Sequence, residues 1–236
     1  MLGQTLRRAV RPKSLPRRLL PRHRRAAAAL LAACAAIAVG LAVYLAVQSR
    51  PAWPDPSLDP WIQNAMGHFP ALLWRLPDVG TLGPVTLMTL ALIAACAATR
   101  NWPGAALAAV AEPVAVGLTE YVLKPYVGGA LGQGFPSGHA ASMFALAAIC
   151  AVLLAEPIRS GPFRAARLLL ILLALLFAAA VAAAMVAIGA HTFTDAVGGA
   201  AVGIGVVLAC ALALDWVTAR AYRARQGSAA QPGPDG

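Results

Sequence analysis

Six long apolar runs, separated by short polar or glycine-rich segments, constrain the fold of this chain more than any other feature. Their approximate bounds are 26–47, 81–98, 104–123, 140–154, 168–189 and 196–217. About 20 consecutive apolar residues cross the hydrocarbon of a bilayer as an α-helix, because a helix satisfies its backbone hydrogen bonds internally. We therefore predict an all-α fold, a bundle of six transmembrane helices.

Composition and charge support a membrane protein over a nucleic-acid-binding one. Hydrophobic residues make up 60% of the 236 residues, more than a soluble core of this length requires. The formal net charge is +10, but nine of the nineteen basic residues lie between Arg7 and Arg25, directly before the first apolar run. Such a block is typical of a cytoplasmic flank that meets anionic headgroups. The expected partners are therefore membrane lipids and not nucleic acid.

Basic residues are distributed unevenly among the segments between the runs. If the N-terminus is inside, sixteen of the nineteen lie in inner segments, and only Arg50, Arg75 and Lys124 lie in outer ones. This bias follows the positive-inside rule for an even number of crossings, so both termini are predicted to be cytoplasmic. The three outer cations are the ones available to a site on that face.

The topology divides the chain into three parts. Residues 1–25 form a basic cytoplasmic segment, residues 26–217 the membrane domain, and residues 218–236 a cytoplasmic tail whose Gly- and Pro-rich end is typical of disorder. The first outer loop, residues 48–80, carries three tryptophans among prolines and aspartates. Tryptophan prefers headgroup depth, so this loop is predicted to be interfacial, with ligand binding by the tryptophans as the alternative.

The four cysteines indicate neither a disulfide framework nor a zinc site. Each falls inside an apolar run, without CxxC spacing and without a neighbouring histidine. They are interpreted as small hydrophobic residues. Their positions are Cys34, Cys96, Cys150 and Cys210.

Residues 124–139, which read KPYVGGALGQGFPSGH, form the outer segment between the third and fourth predicted helices. The glycines favour a compact loop, and Pro136, Ser137 and Gly138 lead directly into the fourth helix. A helix N-terminus binds anions through its amides, and Lys124 adds a positive charge for the same anion. We therefore predict that Lys124, Ser137 and Gly138 bind a phosphate group.

The outer segment 189–195, GAHTFTD, carries His191 and, four residues later, Asp195. The 52 residues from His139 to His191 fit one helix inward, a basic loop and one helix back, so both histidines are expected on one membrane face. Asp195 can accept a hydrogen bond from one imidazole nitrogen of His191 and leave the other free to attack. His191 is thus the predicted nucleophile, and His139 the general acid and base.

Each motif also has a purely structural interpretation. The P-S-G-H run can be an ordinary loop that enters a helix, Asp195 a helix cap, and Lys124 a side chain that snorkels at a helix end. Thr192 and Thr194 are interpreted as cap and turn residues. Two histidine motifs on one membrane face nevertheless favour catalysis.

These residues resemble the type 2 phosphatidic acid phosphatase superfamily, also called lipid phosphate phosphatases and related to vanadium haloperoxidases. The family's middle motif, P-S-G-H, is met in full by residues 136–139, and its third motif, S-R-x5-H-x3-D, is met at His191 and Asp195. The resemblance covers about residues 59–216 and implies a six-helix core with extracytoplasmic motifs. It also implies a phosphohistidine on His191, acid–base catalysis by His139, and no metal or other cofactor.

The sequence departs from the family at three cationic positions. The first motif, K-x6-R-P, is present only as Lys124 and Pro125, with Gly117 where its first lysine belongs. In the third motif, Ala184 and Met185 replace the Ser-Arg pair. Lysine cannot form a bidentate guanidinium clamp, and each lost charge-assisted contact costs on the order of 1.5 to 3 kcal/mol. Reduced activity or a differently built phosphate pocket is the expected consequence.

Two glutamates fall inside the third apolar run. Glu120 precedes Lys124 by one helical turn, so we hypothesise an ion pair that competes with substrate phosphate for the lysine. Glu112 is interpreted as a hydrogen-bonded structural residue, with a cavity-lining role as the alternative.

The resulting hypothesis is a phosphatase of a bacterial plasma membrane that removes phosphate from a lipid phosphate or pyrophosphate on the extracytoplasmic side. The resemblance favours an isoprenoid carrier phosphate as substrate, followed by phosphatidate or phosphatidylglycerol phosphate. A non-catalytic lipid-binding protein of the same fold and a transporter of phosphorylated lipid are the alternatives. Retention of His139, His191 and Asp195 favours the enzyme.

Overall fold

The computed structural model describes residues 18–20, 23–48, 53–128, 134–155 and 162–229, and within these ranges the secondary structure is entirely helical. The all-α prediction is therefore confirmed. The helices are α1 (Arg24–Val47), α2 (Asp55–Gly67), α3 (Pro70–Val79), α4 (Leu82–Ala98), α5 (Trp102–Gly117), α6 (Gly138–Leu154), α7 (Pro162–Ala187) and α8 (Phe193–Ala229). Helix α5 continues without a break as a wider π-helical segment, Leu118–Gly128.

Each of the six predicted apolar runs lies in one helix, but the helices differ in their capacity to cross a bilayer. Among the described residues, four stretches are long and apolar enough alone: Arg24–Val47, Trp102–Val127, Phe163–Ala187 and Phe193–Ala224. Helices α3 and α4 add a fifth if the pair, bent by 65°, counts as one span. Helix α6 has 17 residues and is shorter than a typical span. Six crossings with cytoplasmic termini remain a prediction.

Helix α6 lies at the centre of the bundle, and ten of its 17 residues are buried. It packs against α8, where two glycines allow the backbones to approach closely. A Cβ atom on Gly199 would overlap the carbonyl oxygen of Ser137, and one on Gly203 would overlap that of Ala141. Small residues at a helix interface permit such packing, which fixes the position of α6 relative to α8.

The predicted interfacial loop is formed by two helices, α2 and α3, where its residues are described. Three tryptophans of this region are mostly exposed: Trp53, Trp61 and Trp74, at 73%, 67% and 68%. Exposed indole rings suit headgroup depth. Helix α2 packs on α7 and α8, and α3 on α7, so the region is part of the folded domain.

Glu112 is buried in α5, beside Thr89 of α4. The Thr89 hydroxyl, which donates to the Val85 carbonyl oxygen at 3.0 Å, neighbours the Glu112 carboxyl group. A buried acid with a polar partner on the neighbouring helix agrees with the structural interpretation of Glu112.

The described part of the basic N-terminal segment is packed against α8. Leu19 and Leu20 are buried in the hydrophobic core that α1, α5, α6 and α8 share. Their backbone amides donate to the two carboxylate oxygens of Asp215, at 2.7 and 2.9 Å. Asp215 is itself only 2% exposed. This carboxylate therefore closes one end of the bundle by binding the two amides ahead of α1.

The prediction of a disordered tail is wrong for residues 218–229, which continue α8; residues 230–236 lie outside the described part. Local contacts explain the longer helix. Ala219 is buried, and the Arg220 guanidinium lies 5.2 Å from the centroid of the Trp216 ring. Helix formers and these contacts override the Gly- and Pro-rich composition that follows.

We expect Asp215→Ala to destabilise the fold, because it leaves two buried amides without their acceptor. The expected loss in the free energy of unfolding is on the order of 1 to 3 kcal/mol per unsatisfied group. The thermal midpoint in detergent measures it, with Val217→Ala, at an exposed position of the same helix, as the control. An unchanged midpoint for Asp215→Ala would show that the segment before α1 is not held by this carboxylate.

Candidate active site

The two histidine motifs meet at the first turns of α6 and α8. The backbone amide of Ser137 donates to the carbonyl oxygen of Asp195 at 2.9 Å, which joins the segment before α6 to the first turn of α8. Gly134 lies against the His191 ring, since a Cβ atom there would be 3.0 Å from its Nδ1. Segments more than 50 residues apart in sequence therefore form one site.

His139 lies in the first turn of α6, just before the apolar run 140–154, and is half-buried. A Cβ atom on Gly80, at the corner between α3 and α4, would come within 2.6 Å of its Cδ2 atom. Burial lowers the pKa of His139, and the charges of His191 and Lys124 lower it further, whereas Glu120 raises it. A lowered pKa leaves more of the imidazole neutral and able to accept a proton near neutral pH.

His191 and Asp195 are adjacent but not hydrogen-bonded. Their closest atoms, Nδ1 and Oδ2, are 3.7 Å apart, and both side chains are more than nine-tenths buried. Among the described residues the buried Nδ1 has no hydrogen-bond partner. A movement of about 0.7 Å would bring the pair to the usual 3.0 Å. The predicted orientation of His191 by Asp195 is thus nearly assembled.

His191 lies two residues before α8, which begins at Phe193. Thr192 and Asp195 cap the helix reciprocally: the Thr192 amide donates to Asp195 Oδ2 at 3.1 Å, and the Asp195 amide donates to Thr192 Oγ1 at 3.3 Å. The cap role of Thr192 is confirmed. The Thr192 amide binds Asp195 Oδ2, which is also the oxygen nearest His191 Nδ1. The Thr192 amide and the His191 ring therefore compete for one carboxylate oxygen.

Ser137 is fully buried, and its hydroxyl caps α6 by accepting from the Ala140 amide at 3.4 Å. The structure therefore gives Ser137 a role in positioning α6, and phosphate binding by its side chain stays a prediction. Gly138, the next residue, is half-buried and borders Glu120.

Lys124 is helical, not in a loop, because the π-helical continuation of α5 includes it. The hypothesised ion pair is confirmed: Lys124 Nζ lies 2.7 and 2.8 Å from the two carboxylate oxygens of Glu120. A Cβ atom on Gly138 would overlap one of these oxygens and lie 3.5 Å from Lys124 Nζ. The pair therefore sits directly on the N-terminus of α6, where the phosphate is predicted to bind.

The two positions where the family carries its other cations have different surroundings. Met185 is buried, and its carbonyl oxygen accepts from the amides of Ala190 and His191 at 3.0 and 3.3 Å. At Gly117 an added Cβ atom would meet nothing within 4 Å. Of the remaining outer arginines, Arg75 is exposed on α3, and Arg50 lies outside the described residues.

Two aspartates of α2, which the sequence did not identify, bind the first turn of α8. Asp55 accepts from the amide and the hydroxyl of Thr194, both at 2.9 Å, and Asp59 accepts from the Phe193 amide at 2.9 Å. Asp55 is only 3% exposed. The four-residue spacing of the acids fits one helix face, but nothing in the sequence pairs them with residues more than 130 positions away.

Within the described ranges, no group of three or more His, Cys, Asp or Glu side chains could hold a metal ion. The acids around α8 bind backbone amides and a hydroxyl. The site therefore combines two histidines and one lysine with the first turns of α6 and α8.

We expect Asp55→Ala to loosen the turn that carries His191, because the Thr194 amide and hydroxyl lose their buried acceptor. The predicted loss of stability is on the order of 1 to 3 kcal/mol, and Asp55→Asn, which keeps one acceptor oxygen, should lose less. Hydrogen exchange at the amides of residues 193 and 194 reports the effect locally. Equal protection in Asp55→Ala and in Asp78→Ala, an exposed acid of α3, would contradict this role.

Comparison with known proteins agrees with the motifs. The family model described as PAP2 superfamily matches residues 28–219 of the 236, which include both histidine motifs. A search of curated proteins and a search of solved structures each found no match. The superfamily consists generally of phosphatases, and the apolar helices of this chain agree with a membrane-bound member. On this evidence, the chain belongs to the PAP2 superfamily.

Proposed function

We propose that this protein is a metal-independent lipid phosphate phosphatase that works through a phosphohistidine. The observation that carries the proposal is the hydrogen bond from the Ser137 amide to the Asp195 carbonyl oxygen, because it joins the segment that carries His139 to the segment that carries His191. Two histidines, an adjacent carboxylate and a lysine beside a helix N-terminus are the groups that such a hydrolysis requires.

The phosphate binds at the N-terminus of α6 and not at that of α8. The amides in the first turn of α8 already have protein acceptors: those of residues 193 to 196 donate to Asp59, Asp55 and twice to Thr192. Three carboxylates near this turn, Asp55, Asp59 and Asp195, also repel an anion. At α6 the helix dipole and Lys124 attract it, once Lys124 exchanges Glu120 for phosphate.

In the first step, Nε2 of His191 attacks phosphorus and the bond from phosphorus to the lipid oxygen breaks. That oxygen takes a proton from the imidazolium of His139 and leaves as the lipid alcohol, or as the lipid monophosphate if the substrate is a pyrophosphate. The phosphorylated His191 keeps its proton on Nδ1 and carries a positive charge. Asp195 stabilises that charge by accepting the Nδ1 hydrogen.

In the second step, neutral His139 takes a proton from water, and the resulting hydroxide oxygen attacks phosphorus. The bond from phosphorus to Nε2 breaks and its electron pair returns to Nε2, so inorganic phosphate forms and His191 is neutral again with its proton on Nδ1. His139 thus begins each cycle protonated and is protonated again by the water it activates, so the cycle closes.

The substrate class is a phosphorylated lipid, with an isoprenoid carrier phosphate or pyrophosphate first and a glycerophospholipid phosphate second. This order comes from the family resemblance. The active site faces the extracytoplasmic side of a bacterial plasma membrane, as the distribution of basic residues indicates. A protein of this fold that binds or moves the lipid without turnover is the alternative, and the missing family cations favour it.

We expect His191→Ala to abolish phosphate release from lipid phosphates in the presence of a chelator, since it removes the nucleophile. His139→Ala should slow release by about 10² to 10⁴, the usual contribution of general acid–base catalysis. Released phosphate measures both, with His68→Ala, an exposed histidine directly after α2, as the control. Unchanged release by His191→Ala would overturn the mechanism, and no release by the wild-type protein would favour the non-catalytic alternative.

We expect Glu120→Gln to bind phosphate roughly two- to threefold more tightly, because a partly exposed i, i+4 pair contributes little and its loss frees Lys124. The Glu120 charge also raises the pKa of His139, so its removal lowers that pKa. The alkaline limb of the rate profile, where His139 loses its proton, should therefore move to lower pH. Inhibition by inorganic phosphate and the pH profile measure these effects.

Tyr121→Phe, an exposed neighbour in the same segment, is the matched control and should change neither quantity. If Glu120→Gln leaves both phosphate inhibition and the pH profile as in the wild type, Glu120 does not tune Lys124.

A further inference from the structure

An apolar groove of about 330 Å³ lies between α4, α6 and α7. Its floor is α6, where Met143, Leu146 and Ala147 are buried. Its walls are helix faces that are partly or largely exposed, and none of its lining residues is charged or polar. The wall residues and the remaining floor residue are Met88, Ala91, Leu92, Cys150, Ala174 and Phe177.

The groove continues the face of α6 that carries His139. Met143 follows His139 by four residues, and Cys150 follows it by eleven, so both lie near the same helix face. At 1.5 Å per residue the groove extends to about 17 Å below His139, roughly half the thickness of the hydrocarbon core. The corner between α3 and α4 lies against the same histidine, because a Cβ atom on Gly80 would be 2.6 Å from His139 Cδ2 and 3.1 Å from Val181 of α7.

A charged or hydrogen-bonding ligand would find no partner in this groove, whereas a hydrocarbon chain would leave no polar group unsatisfied there. The two methionines, Met88 and Met143, add flexible and polarisable contacts that fit a chain of variable conformation. A second cleft, of about 170 Å³, lies between α6, α7 and α8, and α2 borders it through Ile62. The larger groove has no lining residue from α2, and its floor includes Met143, one helical turn after His139.

We propose that the groove between α4, α6 and α7 binds one hydrocarbon chain of the substrate while its phosphate lies at the N-terminus of α6. The inference rests on the proposed function, because it assigns the chain of the same substrate. It makes chain length a determinant of affinity: a long chain fills the groove, whereas a short one reaches only the level of Met143.

The test fills the groove from its lipid-facing wall. Ala91→Trp places an indole in the groove, and Ala94→Trp, at another exposed position of α4 that does not line it, is the matched control. Each variant is assayed with a long-chain lipid phosphate in mixed micelles and with p-nitrophenyl phosphate, which has no chain. Ala174→Trp on the opposite wall is the second variant if Ala91→Trp does not fold.

We expect KM for the long-chain substrate to rise roughly tenfold in Ala91→Trp, which corresponds to the loss of about two buried methylene groups. The rate with p-nitrophenyl phosphate should stay at the wild-type level, and Ala94→Trp should match the wild type with both substrates. Equal KM values for the two variants would overturn the inference. So would a change in oligomeric state confined to Ala91→Trp, which would make the groove a protein interface.

The two proposals fail in different ways. If wild-type protein releases phosphate from neither substrate, the proposed function fails, and the groove loses its substrate with it. Suppose instead that wild-type protein releases phosphate from both substrates, and that the groove-filling variants distinguish the long-chain substrate from p-nitrophenyl phosphate no better than Ala94→Trp does. The phosphatase function then stands, and only the groove assignment is wrong.

Discussion

The close packing of α6 on α8 is the constraint on which the site depends. Each histidine lies near the end of its own helix and does not hold the other in place, so their distance is set by the helices beneath them. Gly199 and Gly203 remove the side chains that would separate the two backbones, and the Ser137 amide then reaches the carbonyl oxygen of Asp195. A bulkier residue at either glycine would displace both histidines together, because the overlap is with backbone atoms of the segment that carries His139.

This packing places two helix N-termini side by side, and the protein treats them differently. The end of α8 is saturated: Asp55, Asp59, Thr192 and Asp195 satisfy its amides and surround it with negative charge. The end of α6 borders the Lys124–Glu120 pair. In the proposed mechanism, negative charge behind His191 favours a cationic phosphohistidine, whereas a lysine and a helix dipole beside His139 favour a bound anion. The packing of α6 on α8 thus separates the charges that the proposed reaction needs.

The sequence predicted those parts of the fold that depend on local patterns. All six apolar runs are helical, and the segments that carry the two histidine motifs are joined by the hydrogen bond from Ser137 to Asp195. It could not predict the contacts that depend on tertiary packing. Asp55, Asp59 and Asp215 look like ordinary loop or helix-end acids until the segments they bind are brought to them. The helical state of Lys124 and of residues 218–229 was also missed. Proline and glycine are typical helix breakers, yet the helices continue through Lys124 and Pro125 and as far as Ala229.

The two missing family cations affect the site unequally. At Met185 the backbone supports the turn of His191 and the side chain is buried, so an arginine there would need to bring a charge into an apolar position. At Gly117 there is open space for a Cβ atom, so a side chain can begin there without a clash. On the proposed function, a single lysine that also pairs with Glu120 holds the phosphate more weakly than a full set of cations would. The apolar part of the substrate then has to supply more of the affinity, so a lipid chain strengthens binding beyond what the phosphate group alone achieves.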